Sequence, residues 1–335
     1  MTTLDPLVAR EAWRLAEPLH SMVYFVPEGT ENFEALGISA RAGYFAARGG
    51  VFGPVGPGPV VATFYNFKPG LVARFLPAVW ETTTPQAAIG ARLAAADAAL
   101  IRGLGDTVRS DEMAEAARLA RRAAESAAEH PAGRALYAAH AELDWPDEPH
   151  LVLWHAQTLL REFRGDGHVA ALLLAEVSGL QAIILHTASG KADGGFLRAS
   201  RGWSHEEWAA ETENLRSRGL LAPAPGAGGS DAGGSGAGGS GAGGSGAGGS
   251  GAGGSGAGAG VLSSGGVGRT VKAELSDEGR ALRERLETET DRLAAPAYEV
   301  LGAEGCERLA ELVRPWSRTL VKAGFLAAAA PVRRA

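Results

Sequence analysis

Two stretches decide how this chain folds: Ser204-His205-Glu206-Glu207-Trp208-Ala209-Ala210-Glu211-Thr212-Glu213-Asn214-Leu215-Arg216-Ser217-Arg218-Gly219-Leu220-Leu221, and Thr270-Val271-Lys272-Ala273-Glu274-Leu275-Ser276-Asp277-Glu278-Gly279-Arg280-Ala281-Leu282. The first predicts a helix over Ser204 to Arg218 closed by Gly219, then a short strand at Leu220 to Ala222. The second predicts a strand at Thr270 to Leu275 and a helix capped by Ser276, with Asp277 and Glu278 at its positive end. On the first helix Trp208, Thr212 and Leu215 fall on one inward face, which leaves Glu206, Ala210, Glu213, Asn214 and Ser217 outward.

Between these stretches lies a run of pentads, Gly-Ala-Gly-Gly-Ser from Gly226 to Ser230, the same with Asp231 leading, four further copies and a tail to Gly260. With no apolar side chain larger than Ala it predicts a coil. A tether between independent domains is one reading. The other follows from the order helix, strand, loop, strand, helix, which is that of a winged helix, so that the repeat enlarges the tip of the wing. Stretching a hairpin loop from about 4 to about 35 residues costs only about 2 kcal/mol.

The rest of the chain is read outward from there. It has 335 residues, 45% hydrophobic and 21% charged, with a net charge of -6. That composition has room for two domains and excludes collagen-like and disordered classes. The one cysteine, Cys306, rules out an internal disulfide and fits a reducing compartment; it shares an apolar face with Leu309, Val313 and Trp316, so a buried inert thiol is expected. No secretion signal precedes Arg10, and the apolar stretch from Val169 to Leu185 is interrupted by Glu176 and Gln181, so a cytoplasmic chain with no membrane partner is expected.

Asp5 and Pro6 cap a first helix over Leu7 to Leu19. Further helices are predicted at Asn32 to Leu36, Ala40 to Arg48, Val60 to Phe67, Gly70 to Val79 and Pro85 to Gly103. Asp111 to His130 reads as a connecting helix. Leu151 to Arg164, His168 to Glu176 and Leu180 to Ala188 read as packed helices. The organisation is therefore an N-terminal helical unit over residues 1–105, connecting helices over 106–147, and a C-terminal unit over 148–325 carrying the insert at 223–268. The fold class is mainly α: two winged-helix-like domains, the second with a small two-stranded wing.

From Trp203 to Gly324 the chain resembles the MarR type of winged helix, through Leu215-Arg216-Ser217-Arg218-Gly219-Leu220-Leu221 and Leu275-Ser276-Asp277-Glu278-Gly279-Arg280-Ala281-Leu282. Over nearly its whole length it resembles an actinobacterial SalK-like helix-turn-helix family, through Tyr44-Phe45-Ala46-Ala47-Arg48, Ala62-Thr63-Phe64-Tyr65-Asn66-Phe67 and Arg164-Gly165-Asp166-Gly167-His168-Val169-Ala170-Ala171-Leu172. The resemblance implies two winged-helix-like domains and a transcriptional regulator. It also implies that the terminal helices, Ser276 to Leu293 and Ala303 to Gly324, pair two subunits in a homodimer; packing onto the first domain of the same chain would satisfy their apolar faces equally well.

DNA is the implied partner, with Arg198, Arg201, Arg216, Arg218, Arg269 and Lys272 as candidate contacts. Charge points the other way: four glutamates against Arg216 and Arg218 give the candidate recognition helix the wrong sign for a polyanion. A small-molecule ligand is the second candidate partner. His20, Tyr24, Tyr44, Tyr65 and Asn66 could line an apolar pocket with a few polar groups, and plain core is the competing reading. His155 and His168 could form a polar site, with Gly165 ending one helix and Asp166 capping the next so that His168 lies in its first turn. No His-Glu-x-x-His, nucleophile elbow or P-loop occurs, so neither metal, cofactor nor catalytic residue is expected. A ligand-binding protein or enzyme on a winged-helix scaffold that does not bind DNA is the alternative to a ligand-responsive regulator.

Overall fold

The computed structural model describes residues 4–224 and 273–326. It is mainly helical, and no strand occurs among the described residues. The helices are α1 (Pro6–Ser21), α2 (Pro27–Ala35), α3 (Ala40–Gly49), α4 (Pro57–Phe64), α5 (Pro69–Val72), α6 (Pro85–Leu104), α7 (Asp111–Ser126), α8 (Ala135–Ala141), α9 (Pro149–Leu174), α10 (Gly179–Ala188), α11 (Gly194–Arg201), α12 (His205–Ser217), α13 (Asp277–Ala294) and α14 (Gly302–Lys322), with short 3₁₀ turns between several of them. Among the described residues no single helix is long and apolar enough to cross a membrane.

Caps explain most starts. Asp5 accepts from the Leu7 amide, Ser39 from Ala42, Thr84 from Ala87 and Ser276 from Gly279. Six of the helices have proline in the first turn, where its missing N–H costs nothing.

Two apolar cores share α9. The first gathers α1 to α8, the N-terminal part of α9 (Val152 to Phe163) and α14. The second gathers Ala171 and Leu172 at the far end of α9 with Ile184, Trp208, Leu215, Leu221, Leu275 and Leu286. The terminal helices bury their apolar faces within the chain: Leu309, Val313, Trp316 and Leu320 join the first core, and the Ser317 hydroxyl donates to the Leu15 carbonyl at 2.6 Å. Cys306 is buried in the same place.

The described segments on either side of the insert meet. Leu221 and Leu275 form an antiparallel bridge, in which the Ala222 amide donates to Glu274 at 2.9 Å and the Ser276 amide to Leu220 at 3.3 Å. This is one bridged pair rather than a two-stranded ladder, and residues 225–272, which hold the insert and the start of the expected second strand, lie outside the described residues.

Three local expectations change, and one is the helix expected from Gly70 to Val79, which ends at Val72. Leu151 to Arg164 and His168 to Leu174 belong to one helix, which stops short of Glu176; Gly167 is a contact glycine rather than a breaker, since a Cβ there would stand 3.2 Å from Leu293 Cβ and 3.0 Å from Arg134 Nη1. Asp166 does cap, but a different helix, accepting the Tyr137 amide of α8 at 2.9 Å. The expected helix from Val60 to Phe67 stops at Phe64, since Tyr65 turns to φ +55°.

Candidate functional site

Three helices, α10, α11 and α12, form a compact unit on the second core. α10 and α12 each begin with a reciprocal capping box, Ser178 with Gln181 and Ser204 with Glu207. Asp193 caps α11, and Gly202 ends it at φ +82°, a left-handed turn that costs glycine nothing. Trp208, Thr212 and Leu215 root α12, as their spacing predicts. Its opposite face, including His205, Glu206, Ala209, Ala210, Glu213, Asn214 and Ser217, is exposed.

The turn between α11 and α12 is held by the segment after α4. Asn66 Oδ1 accepts the Arg201 Nε–H at 3.1 Å, and the Asn66 carbonyl accepts the Trp203 indole N–H at 2.9 Å. The Lys68 amide donates to the Arg201 carbonyl at 2.9 Å, and the Lys68 ammonium meets Glu207 at 2.6 Å. At α10, the Tyr65 hydroxyl donates to the Val177 carbonyl at 2.6 Å, and a Cβ on Gly179 would collide with the Tyr65 carbonyl. The left-handed backbone of Tyr65 costs about 1–3 kcal/mol in general, which this set of contacts offsets.

Behind the seam lies a row of buried arginines that the sequence reading missed. Arg48 forks onto Glu162 at 2.7 and 2.9 Å and donates to the Tyr44 hydroxyl at 2.7 Å; Arg161 reaches Glu17 at 3.0 Å and Glu162 at 3.4 Å. Burial alone would raise the Glu162 carboxyl, but Arg48 and Arg161 outweigh it and hold the group at about 2. Arg92 donates to the Tyr24 hydroxyl at 2.8 Å and lies 3.1 Å from His20 Nε2, over the Trp154 ring. Arg164 pairs with Asp291 at 2.6 Å. A lone arginine inside an otherwise apolar run, as in Phe45-Ala46-Ala47-Arg48 or in the Ala-rich α6, is the only signal that could have pointed to them.

The predicted ligand residues separate into three places. His20, Tyr24 and Tyr44 gather around Arg92 and Arg48, where burial and the surrounding arginines hold His20 well below its ordinary range. Tyr24, Tyr44, Arg48 and Arg92 line a cavity of about 340 Å³. Tyr65, Asn66 and His168 instead line a second cavity of about 190 Å³, between the two cores, together with Glu162, Asp166 and His186. His168 sits mid-helix in α9. The Thr290 hydroxyl donates to the Leu286 carbonyl and therefore accepts from His168 Nδ1 at 2.9 Å, which leaves Nε2 without a proton in the neutral ring. Burial first, then Arg164, lowers His168 to about 4. His155 stands apart, edge-on to Trp145, and burial lowers it to about 4 as well. Among the described residues no three His, Cys, Asp or Glu side chains converge on a metal position.

The predicted DNA contacts scatter. Arg201 is 1% exposed and faces the Phe67 ring at 4.5 Å, so it belongs to the interior seam. Arg198 donates to the Trp203 carbonyl at 2.9 Å and lies 2.9 Å from the His205 ring nitrogen. Arg216 pairs with Glu213 at 3.2 Å. Arg218 is exposed and donates to Gln181 at 3.2 Å. Arg269 and Lys272 lie outside the described residues.

A family model described as "Helix-turn-helix family" matches residues 9–236 and 256–327 of the chain. No curated protein and no solved structure matches.

Proposed function

The chain belongs to the helix-turn-helix family, and from that membership we propose that it is a cytoplasmic transcriptional regulator that meets duplex DNA through α12 and answers to a small ligand held in its first half. The observation that carries the reading is α12 itself. It is rooted in the second core by Trp208, Thr212 and Leu215, it follows α11 through a tight glycine turn, and its outer face is open to solvent. In helix-turn-helix proteins the second helix of such a pair lies in the major groove. The Leu221 and Leu275 bridge behind α12 supports the finer, winged-helix reading of the unit.

Ligand control is supported by the seam. The segment that pins the turn before α12 is continuous with Phe64 and Phe67, which meet Tyr44 edge-on and tilted, respectively, at the edge of the 340 Å³ cavity. An occupant of that cavity therefore has a packed route to the turn.

A second reading has its own observation: Glu206 and Glu213 are exposed on the α12 face that would enter the groove. On that reading the same scaffold binds a small molecule and no DNA. Titrating labelled random duplex at increasing salt separates the two. The regulator binds at low salt and loses affinity steeply as salt rises; absence of binding at every salt concentration leaves the second reading.

A further inference from the structure

Arg92 lies on the inward face of α6, among Ala88, Ala95, Ala96 and Ala99, and is 5% exposed. Arginine reaches such a position with a carboxylate beside it, because a buried cation without one pays heavily for lost hydration. Among the described residues Arg92 has hydrogen bonds to Tyr24 and His20 and ring contacts to Tyr24 and Trp154, and none to a carboxylate. Glu162, the carboxylate whose charge acts on it, is already held by Arg48 and Arg161. Three guanidiniums, Arg48, Arg92 and Arg161, thus face two carboxylates, Glu17 and Glu162, and one positive charge is left over.

The surplus opens onto a space. Arg92 and Arg48 both line the 340 Å³ cavity between the Val23 to Phe33 segment and α3, and the Nε atoms of both are buried without a hydrogen-bond partner. The hydroxyls of Tyr24 and Tyr44 each accept a guanidinium N–H, so each keeps its own O–H to donate. The cavity end near Arg92 is thus rich in donors. The remaining wall is mainly apolar, formed by residues such as Val23, Val26, Phe33 and Ala47 with the Thr30 hydroxyl among them, and the one carboxylate of the lining, Glu31, is exposed at the rim. The volume is that of roughly ten waters at about 30 Å³ each, room for one ring or a short chain with a single acidic group.

We infer that this cavity is a binding site for a small apolar monocarboxylate, whose anionic end meets Arg92, Arg48 and the two phenol hydroxyls while its ring or chain lies against Val26, Phe33 and Ala47. One negative charge completes the balance; a phosphate dianion overshoots it and leaves the apolar side chains of the wall, Val23, Val26 and Phe33, without a partner. The inference deepens the reading above and rests on it only for what the ligand controls.

The test uses the full chain without DNA, so its outcome is independent of whether the protein binds a duplex. Thermal unfolding and calorimetric titration are run with benzoate, hexanoate, benzamide and inorganic phosphate. Benzoate or hexanoate raises Tm in a dose-dependent way, while benzamide and phosphate do not. Arg92→Met, which removes the charge and keeps an apolar side chain, abolishes the shift. Tyr24→Phe keeps the ring, folds, and weakens carboxylate binding about tenfold by losing one charge-assisted hydrogen bond. The inference is overturned if neither carboxylate binds up to millimolar concentration, if benzamide binds as well as benzoate, or if a folded Arg92→Met keeps the shift. Should Arg92→Met fail to fold, unchanged affinity in Tyr24→Phe overturns it.

Discussion

The backbone carbonyl of Asn66 accepts the indole N–H of Trp203 at 2.9 Å, a contact across 137 positions of sequence that ties the turn before α12 to the end of α4. Beside it the Gly179 Cα packs so closely on the Tyr65 carbonyl that no side chain fits. The unit of α10, α11 and α12 is therefore fitted to the first half of the chain, which orients α12.

Gly179→Ala tests that fit. The added methyl has backbone on its far side and cannot be relieved by a rotamer change, so the cost is that of overpacking, about 1–3 kcal/mol in urea unfolding. Trp203→Phe, which removes the indole donor and keeps an aromatic ring, costs about 1 kcal/mol. Equal stability of Gly179→Ala and the parent would show that the two halves are not packed at this seam.

Acid unfolding is expected in two stages. His155, His168 and His186 are held near 4 in the folded chain against an ordinary 6.5, by burial first and neighbouring arginines or lysine second. A depressed folded value means that the unfolded chain binds more protons, so stability falls as pH drops from 6.5 toward 4. Glu162, held near 2 against 4.5, adds a second loss between 4.5 and 2, worth about 3 kcal/mol in all. Glu162→Gln removes this second stage. It leaves Arg48 and Arg161 buried beside a neutral amide, and lowers stability at neutral pH by about 3–5 kcal/mol. Unfolding free energies measured from pH 8 to 2 check both.

Asp166 behaves in the opposite sense. Burial raises its carboxyl from 3.8 to about 7, against the pull of the Tyr137 and Leu136 amides and Arg134. The folded chain keeps a proton that the unfolded chain has already released, so this contribution is present below 3.8 and is lost as pH rises through about 7. Asp166→Asn keeps an acceptor for the Tyr137 amide and carries no charge. It is more stable than the parent at pH 8, by up to roughly 4 kcal/mol, and the advantage shrinks as pH falls. A Tm difference that does not change between pH 8 and pH 5 would contradict the assignment.

The parts of the fold legible in the sequence are those set by local chemistry. Asp5, Ser204 and Ser276 announce helix starts, and the spacing of Trp208, Thr212 and Leu215 announces the buried side of α12. What stayed hidden is long-range. Gly167 looks like a breaker, because its role as a contact surface depends on Arg134 and Leu293, more than 30 and 120 positions away. Arg201 looks like a phosphate contact until Asn66 and Phe67 are seen against it. Arg92 and Arg48 look like solvent-facing charges, since their burial depends on residues of other helices, Tyr24 and Glu162. His20, Tyr24 and Tyr44 were grouped from sequence and are grouped in space; Tyr65, Asn66 and His168 share a different cavity.

The exposed acids of α12 set a direction for DNA binding. Glu213 is open to solvent and paired only with Arg216 on its own helix, and Glu206 is exposed near the helix start. Glu206→Gln with Glu213→Gln removes two negative charges from the proposed groove face, with little effect on a fold that buries neither. Duplex affinity at low salt rises. Arg218→Ala lowers affinity across sequences and reduces the salt slope by about 1. Affinity indifferent to all three substitutions would place the contact surface elsewhere.

Coupling between cavity and turn is testable at Phe67. Its ring packs on Tyr44 at 5.7 Å and beneath the Arg201 guanidinium at 4.5 Å, so it is a packed link between the lining of the 340 Å³ cavity and the end of α11. A ligand shifts DNA affinity only if it favours one arrangement of that link over another. Benzoate, bound beside Tyr44, is expected to change duplex affinity at fixed salt by about fivefold or more, the lower end of ordinary coupling. Phe67→Leu keeps an apolar filler but takes away the ring face on which Arg201 rests. It should still bind benzoate, since Phe67 is not part of the cavity lining, and it should bind duplex with an affinity that benzoate no longer changes. If benzoate shifts DNA affinity equally in Phe67→Leu and the parent, the signal reaches α12 by a route other than the Tyr44, Phe67 and Arg201 stack.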